Sequence, residues 1–331
     1  MFIHLSPVGS SSTGETAGIG TCRGNKRNIS CRLLNSDNGS DESLGGIMVH
    51  LSILYDVIRL EEKMLLKAAR QRDFKVDMID AKGLTFEVKE REDSGLFGDV
   101  VLQRCISYFR NFHLTAILEG YGMPVINGLN ASWICGNKLL TSIALVKAGV
   151  PTPRTIVATQ SDAAMEAVKK IGYPAALKPV VGSWGRLISP LNDPESARAI
   201  IEDRETMFPL YQIYYVQERV KRPPRDIRSV VIGDRVVGAI YRYAPPDDWK
   251  TNTARGGKAE NCPISRGMEE LILRAAEAVG GGVLGVDCME SPDGLVVHEV
   301  NSTIEFKNTV PATGVDIPGL IMDYITQKLK R

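Results

Sequence analysis

The sequence predicts an α/β N-terminal domain over residues 47–135 and a larger α+β region after it. Three observations lead there. Strand and helix patterns alternate from residue 49 to residue 127, the order that a parallel sheet with crossover helices requires. From about residue 136 helices mix with hairpins, whose turns are marked by Gly233-Asp234-Arg235 and Ser291-Pro292-Asp293-Gly294. Residues 1–46 share neither pattern: they are rich in Gly, Ser, Thr and Asn and poor in large apolar residues. Such a stretch buries too little apolar surface to offset its ordering entropy, so a disordered extension is expected there. It lacks the apolar run of a signal peptide, and Met48 stands just before the first strand, which also fits an upstream extension of the translated frame.

In the α/β part, 49–54 reads as a buried strand. A helix over 59–72 follows, with Leu60, Met64, Leu65, Ala68 and Ala69 at helical spacing. Strands are expected at 75–80, 100–102 and 124–127, and a helix at 113–121. In the second part, a helix over 137–148 ends at Gly149, a residue suited to the C′ position. Ser161-Asp162 is expected to cap a helix over 163–171, which Gly172-Tyr173-Pro174 stops. A strand at 175–179 precedes a glycine-bearing loop. Further strands are expected at 213–216, 227–232 and 236–241, with a helix at 268–279 stopped by the three glycines at 280–282.

The net charge of +1 argues against a field for nucleic acid or membrane, and 44% hydrophobic with 24% charged residues is the balance of a globular protein. At 331 residues the chain has room for two or three domains. No apolar stretch approaches bilayer-spanning length. Cys22, Cys31, Cys105, Cys135, Cys262 and Cys288 lack C-x-x-C spacing and read as ordinary thiols. A cytoplasmic location is expected.

The segment 285–301 carries the most chemistry. Folding back at Ser291-Pro292-Asp293-Gly294 sets Asp287 opposite Glu299, and side-chain alternation places Glu299 and Asn301 on one face. Three oxygen donors without His or Cys suit Mg²⁺. On these residues alone, a hairpin with its charges in water fits equally well. Gly182-Ser183-Trp184-Gly185 adjoins a strand bearing Lys178, a pairing able to hold phosphates, although it matches neither common phosphate-loop pattern and also reads as a plain turn. Lys138 sits at a helix N-terminus, a poor place for a cation unless an anion binds there. Residues 214–220 run from a strand into a charged loop that could offer backbone groups to an adenine edge and Glu218 to a ribose. Lys221, Arg222, Arg225 and Arg228 crowd one segment, and Arg242 ends a strand. His4, His50, His113 and His298 lack a nucleophile motif, and His298 is expected to point away from Glu299.

Taken in order, Asn137-Lys138, Leu177-Lys178-Pro179, Gly182-Ser183-Trp184-Gly185-Arg186, Val216-Gln217-Glu218-Arg219-Val220, Arg225-Asp226-Ile227-Arg228, Asn252-Thr253-Ala254-Arg255-Gly256-Gly257, Gly285-Val286-Asp287 and His298-Glu299-Val300-Asn301 resemble the ATP-grasp ligases over residues 48–328. Within that superfamily the chain is similar to the RimK-like family, and most to its LysX group. The resemblance implies an α+β ATP-grasp fold, with subdomains at 136–215 and 216–331 behind a pre-ATP-grasp domain. The LysX group joins L-2-aminoadipate to the C-terminal glutamate of the carrier LysW in lysine biosynthesis, and its sister group ArgX uses glutamate. The segment 301–318 is similar to the substrate loop of both, where an Asn-Thr pair goes with aminoadipate; here the pair is Asn308-Thr309. One methylene is weakly discriminated by any apolar pocket.

The resemblance also implies residue roles. Lys138 and Lys178 would hold ATP phosphates, and Gly182, Ser183, Trp184, Gly185, Arg186, Leu187 and Ile188 would close over them. Gln217, Glu218, Arg219 and Val220 would line the adenine and ribose site, and Arg228 and Asn252 would touch phosphates. Asp287, Glu299 and Asn301 would hold Mg²⁺. Arg242 would steady the acyl phosphate and, with Thr253, Ala254, Glu305, Phe306, Lys307, Asn308 and Thr309, contact the amino acid. An acidic carrier would be steered by the basic rim near 221–228, and a homo-oligomer is implied. Other readings are a glutamate ligase of the ArgX or RimK kind, and a non-catalytic ATP-binding module. Residues 1–46 have no counterpart in the family pattern.

Overall fold

The computed structural model describes residues 48–88, 95–245, 251 and 258–330. Apolar runs near residues 50, 75, 100 and 125 form a parallel sheet. Its strands are β1 (His50–Tyr55), β2 (Lys75–Asp80), β3 (Val100–Gln103) and β4 (Val125–Ile126), in the order β2-β1-β3-β4. The crossover helices are α1 (Leu60–Arg70) and α2 (Tyr108–Gly120). Helix α2 starts at Tyr108, not at 113 as the apolar spacing indicates, because a tertiary contact sets its start. The Asp56 carboxylate accepts the N–H groups of Ile106 (2.9 Å) and Ser107 (3.1 Å) and pairs with Arg110 (2.7 Å).

Helix α3 (Leu129–Cys135), which no periodicity announced, leads into α4 (Lys138–Lys147). Asn137 caps α4 by accepting from the N–H groups of Leu139 and Leu140, and Gly149 follows at φ +64°. Next comes an antiparallel sheet of β5 (Thr155–Ala158), β6 (Ala175–Lys178), β7 (Ser189–Leu191) and β8 (Tyr214–Glu218), ordered β5-β8-β6-β7. Helices α5 (Ser161–Ile171) and α6 (Pro194–Glu205) accompany it. Ser161 does not cap α5: Gln160 is the N-cap residue and makes no side-chain cap bond.

A second antiparallel sheet, ordered β11-β10-β9-β12-β13, contains β9 (Arg225–Ile232), β10 (Arg235–Tyr243), β11 (Ala259–Asn261), β12 (Val283–Ser291) and β13 (Gly294–Asn301). Helix α7 (Arg266–Ala278) packs on it; α8 (Thr309–Thr313) and α9 (Ile317–Leu329) end the chain's regular structure.

The parallel sheet does not keep its core to itself. Leu51, Ile53, Leu65, Ala69 and Leu102 share one buried cluster with Val230, Ile232 and Val283 of the second antiparallel sheet and with Ile304, Phe306, Ile317, Ile321, Met322 and Ile325. Helix α9 lies against α1, and Arg72 pairs with Asp316 and Asp323 across that contact. Hydrophobic burial therefore welds the first sheet to the end of the chain.

A charged network crosses the same junction. Fully buried Glu62 accepts from Arg59 N–H (2.8 Å), Arg59 Nε (3.1 Å), Arg59 Nη2 (2.7 Å) and Arg104 Nε (3.0 Å). Arg104 also donates to Ile304 O (2.9 Å) and lies 5.9 Å from the Phe306 ring centre. Burial pushes the Glu62 carboxyl up, but the Arg59 and Arg104 guanidiniums outweigh it and hold it below the usual range. Burial pulls the Arg104 guanidinium down despite Glu62.

Cys105, Cys135, Cys262 and Cys288 are buried free thiols; Cys22 and Cys31 lie outside the described residues. Among the described residues no helix is long and apolar enough to cross a membrane.

Candidate active site

The hairpin has the register its sequence indicates, with Asp287 directly opposite Glu299. A bulge follows: Cys288 pairs with Val297, leaving His298 as an extra residue. A bulge re-aims side chains, so His298 does not turn away from Glu299 but lines the same cavity. Burial, helped by Lys178, pulls the His298 imidazole down to about 4, and its Nε2 has no partner among the described residues. It is neutral at pH 7.

Strand registers set a ladder of alternating charge across three neighbouring strands. Arg242 on β10 is paired with Asp226 on β9, and Arg228 on β9 with Asp287 on β12. Arg242 grips Asp226 at 2.7 and 2.8 Å and reaches Asp287 at 3.1 Å. Arg228 takes Asp287 by both oxygens, one at 2.8 Å, and the Thr251 hydroxyl donates to Asp226. Burial alone would raise the Asp287 carboxyl, but Arg228 and Arg242 hold it far below the usual range. Burial alone would lower the Arg242 guanidinium; Asp287 and Asp226 hold it above.

Lysines close the other side. Lys138, the first residue of α4, donates to Glu299 (3.0 Å) and to Gly182 O (2.8 Å). Burial pushes the Glu299 carboxyl up, and Lys138 draws it back below its ordinary value. Lys178 ends β6 and donates to Gln217 Oε1 at 2.5 Å. Burial, with Lys138 nearby, pulls its ammonium down to about 8. Gln217 is held in turn by Thr155 (3.0 Å) and Tyr215 (2.9 Å).

These groups wall a cavity of about 530 Å³, a volume suited to a nucleotide-sized ligand. Its wall contains Lys138, Lys178, Gly182, Ser183, Trp184, Gly185, Arg186, Ile188, Arg228, Arg242, Asp287, Glu299, Asn301 and Glu305. Trp184 and Leu187 adopt left-handed backbone conformations (φ +55° and +56°), and Trp184 Nε1 donates to Glu305 (3.0 Å). Arg186 stacks 5.2 Å from the Trp184 ring centre, and Arg204 anchors the loop through Leu187 O (2.6 Å).

Other expected contacts stand outside that wall. Leu187 is exposed. Gln217 is buried beneath Lys178, Glu218 accepts from Arg154 N–H (2.8 Å), and neither Arg219 nor Val220 lines the cavity. Phe306 serves the core instead of a ligand, because the first sheet needs its ring as a packing partner. Lys307 is exposed with its N–H on Glu61 (3.3 Å), and Thr309 is buried where α8 covers β10; with Asn308, both lie away from the cavity wall. Asn252, Thr253 and Ala254 lie outside the described residues. The basic segment is split: Arg228 is in the cavity, while Arg225 is held by Glu290 (2.7 and 2.8 Å) and stacked 3.9 Å from the Tyr241 ring centre.

The sequence reading missed Asp226, though alternation along 225–228 sets it on the face of Arg228. It also missed the N-terminal wall of Asp56, Arg59, Arg110 and Asn111, which no local motif marks.

The oxygen-only donor set fits a hard divalent cation. Asp287 and Glu299 face each other as like charges, Asp287 raising the Glu299 carboxyl, and a cation between them would relieve that repulsion. Asn301 Nδ2 has no partner among the described residues, so nothing ties the amide against turning its oxygen to a cation.

Comparison with known proteins identifies the family. The RimK-like ATP-grasp domain matches residues 135–325, and the LysX preATP-grasp domain matches 51–132. The alpha-aminoadipate–LysW ligase LysX of Sulfolobus acidocaldarius is 38% identical over 83% of this chain and 100% of its own. The glutamate–LysW ligase ArgX of Sulfurisphaera tokodaii is 33% identical over 84% and 99%. Among solved structures, a RimK domain ATP-grasp protein of Sphaerobacter thermophilus superposes with TM-score 0.72 at 25% identity, covering 83% of this chain and 98% of that one. The chain belongs to the RimK-like ATP-grasp ligase family, in the branch that carries the LysX preATP-grasp domain.

Proposed function

We propose that this chain joins the α-amine of L-2-aminoadipate to the γ-carboxylate of the C-terminal glutamate of a small acidic carrier of the LysW kind, using ATP and Mg²⁺. Family membership makes it an ATP-using ligase. The observation that carries the reading is the charge ladder Arg242–Asp226–Arg228–Asp287 beside Glu299, Lys138 and Lys178 in one cavity. Relatives 35–38% identical whose names are those of aminoadipate–LysW ligases support the substrates.

In this reading the carrier's γ-carboxylate attacks the γ-phosphorus of ATP, giving an acyl phosphate and ADP, and the amine then displaces phosphate. Lys138 and Lys178 hold phosphate oxygens, and the loop over 182–188 excludes water. Asp287, Glu299 and Asn301 would hold Mg²⁺, whose charge, when present, neutralises oxygens of the transferring group. Asp226 and Asp287 keep the guanidiniums of Arg242 and Arg228 oriented before the anionic intermediates form, which is preorganised electrostatic stabilisation. Residues 47–135, 136–215 and 216–331 serve as its three working parts.

A second reading puts glutamate in place of aminoadipate, and relatives 33% identical that are named glutamate–LysW ligases support it. Thr309, the first residue of α8, is buried and Asn308 stands off the cavity wall, so the pair meant to discriminate does not line it. The test is ADP release by the purified chain with Mg²⁺, an acidic carrier ending in glutamate, and either amino acid. Turnover with aminoadipate well above glutamate supports the first reading. The reverse moves the chain to the second. No turnover with either removes the named substrates.

A further inference from the structure

The cavity has a wall that includes none of the residues assigned above to ATP or the metal. The sheet order β2-β1-β3-β4 reverses direction between β1 and β3. The segments following these two strands therefore part and leave a crevice, the place where open α/β sheets take ligands. Asp56 and Arg59 follow β1, and Arg110 and Asn111 lie in the first turn of α2; all four line the cavity.

Two guanidiniums on this wall are held by buried carboxylates, Arg59 along one edge and Arg110 through one N–H group. Arg110 Nη1 donates to Asp56 Oδ2 at 2.7 Å, and the same carboxylate takes two backbone N–H groups. Arg59 donates Nε and Nη2 to Glu62, and its Nη1 stands 3.6 Å from Glu305, too far for a hydrogen bond. Asp56, with three donors, and Glu62, with four, orient the guanidiniums. Asn111, 5% exposed, spends its Nδ2 on Cys105 O and Thr303 Oγ1 and has an Oδ1 without a partner among the described residues. Among the described residues of the cavity wall, eight cationic side chains face five acidic ones, an excess that calls for anions. Lys138, Lys178, Arg228 and Arg242 come from other elements and stand by the metal ligands. A guanidinium anchored at one side by a carboxylate, with further N–H groups facing the cavity, is a receptor for a second carboxylate.

We infer that Arg110, with Arg59 on the same wall, forms a carboxylate subsite of this cavity. It takes the α-carboxylate of the carrier's terminal glutamate while the γ-carboxylate faces the phosphates; the amino acid's own carboxylates are the other source of the same chemistry. This choice of occupants rests on the ligase reading, but the subsite itself is testable without turnover.

The test uses the full chain with Mg²⁺ and a non-hydrolysable ATP analogue, and calorimetric titration with three probes. They are a short peptide ending in glutamate, the same peptide with its α-carboxylate amidated, and L-2-aminoadipate. Arg110→Ala should weaken the free-carboxylate peptide about 10- to 100-fold with nucleotide affinity unchanged, as loss of a hydrogen bond to a charged group does. Amidation should weaken wild-type binding by a similar factor and Arg110→Ala binding no further, and Arg110→Lys should recover part of the loss. If aminoadipate weakens in place of the peptide, the subsite stands with the amino acid as its occupant. Unchanged affinity for all probes, equal weakening of nucleotide, or no probe binding by wild type overturns the subsite. Wild-type protein that binds the peptide but releases no ADP with carrier and amino acid overturns the ligase reading alone.

Discussion

Glu62→Gln is expected to destabilise the protein by about 3–5 kcal/mol, the range for breaking one side of a buried ion pair. Glu62 is fully buried and takes four donors, two on each carboxylate oxygen. Whichever way glutamine is turned, its NH₂ group meets two donors head-on. Two charge-assisted bonds lost at roughly 1.5–3 kcal/mol each give a similar figure. The lost charge also leaves Arg104, 3% exposed, facing the Arg59 guanidinium without its acid. For a domain of this size the change corresponds to a Tm lower by roughly 6–20 °C. Urea and thermal unfolding followed by circular dichroism would measure it. Adding Arg104→Met to Glu62→Gln should restore part of the loss, since the stranded charge is then gone. A Glu62→Gln protein within about 1 kcal/mol of wild type, or a double variant whose loss is the sum of the two single losses, would refute the reasoning.

Asp287→Asn should lower turnover at least about 100-fold, because Arg228 and Arg242 lose the acid that orients them and the cation site loses a ligand; more than a tenth of wild-type ADP release would remove Asp287 from the machinery. Lys178 is charged below about pH 8 and neutral above it, well under its ordinary 10.5. The kcat/KM for ATP should therefore fall as pH rises through 8, and a profile level across that window would show that the charge is not used. Between the two values the unfolded chain holds more protons, so this group's contribution to stability rises with pH. Trp184→Phe removes the donor to Glu305 and should raise the amino-acid KM about 3- to 10-fold in steady-state assays. Combining it with Glu305→Gln should add nothing further, and additive losses would show that the two residues act separately.

What could be read beforehand was local. The turn at 291–294 and the alternation beside it placed Asp287 opposite Glu299, and the cap at Asn137 placed Lys138 at its helix start. The bulge was invisible because one inserted residue alters neither composition nor turn chemistry, yet it brings His298 to the cavity. The ladder needs three strands in register, and no window of sequence contains all of them. Gln217 was expected at a nucleobase, but it lies buried beneath Lys178 as that lysine's acceptor. Phe306 was expected at a ligand; an apolar residue in a loop shows that something must cover it, not what does. Helix α9 carries local signals of its own, with Asp316 accepting from Gly319 N–H and Pro318 in the first turn.

The shared core also orders events during synthesis. Domains commonly fold as units, N-terminal first, while the chain is still emerging from the ribosome. Here Leu51, Ile53 and Leu65 must wait for Ile321, Met322 and Ile325, which are made long after them. Until those residues emerge, the nascent first sheet keeps an apolar face open to solvent, a natural client for a chaperone. A chain truncated before α9 would lose more than its tail: its beginning would have nothing to close on.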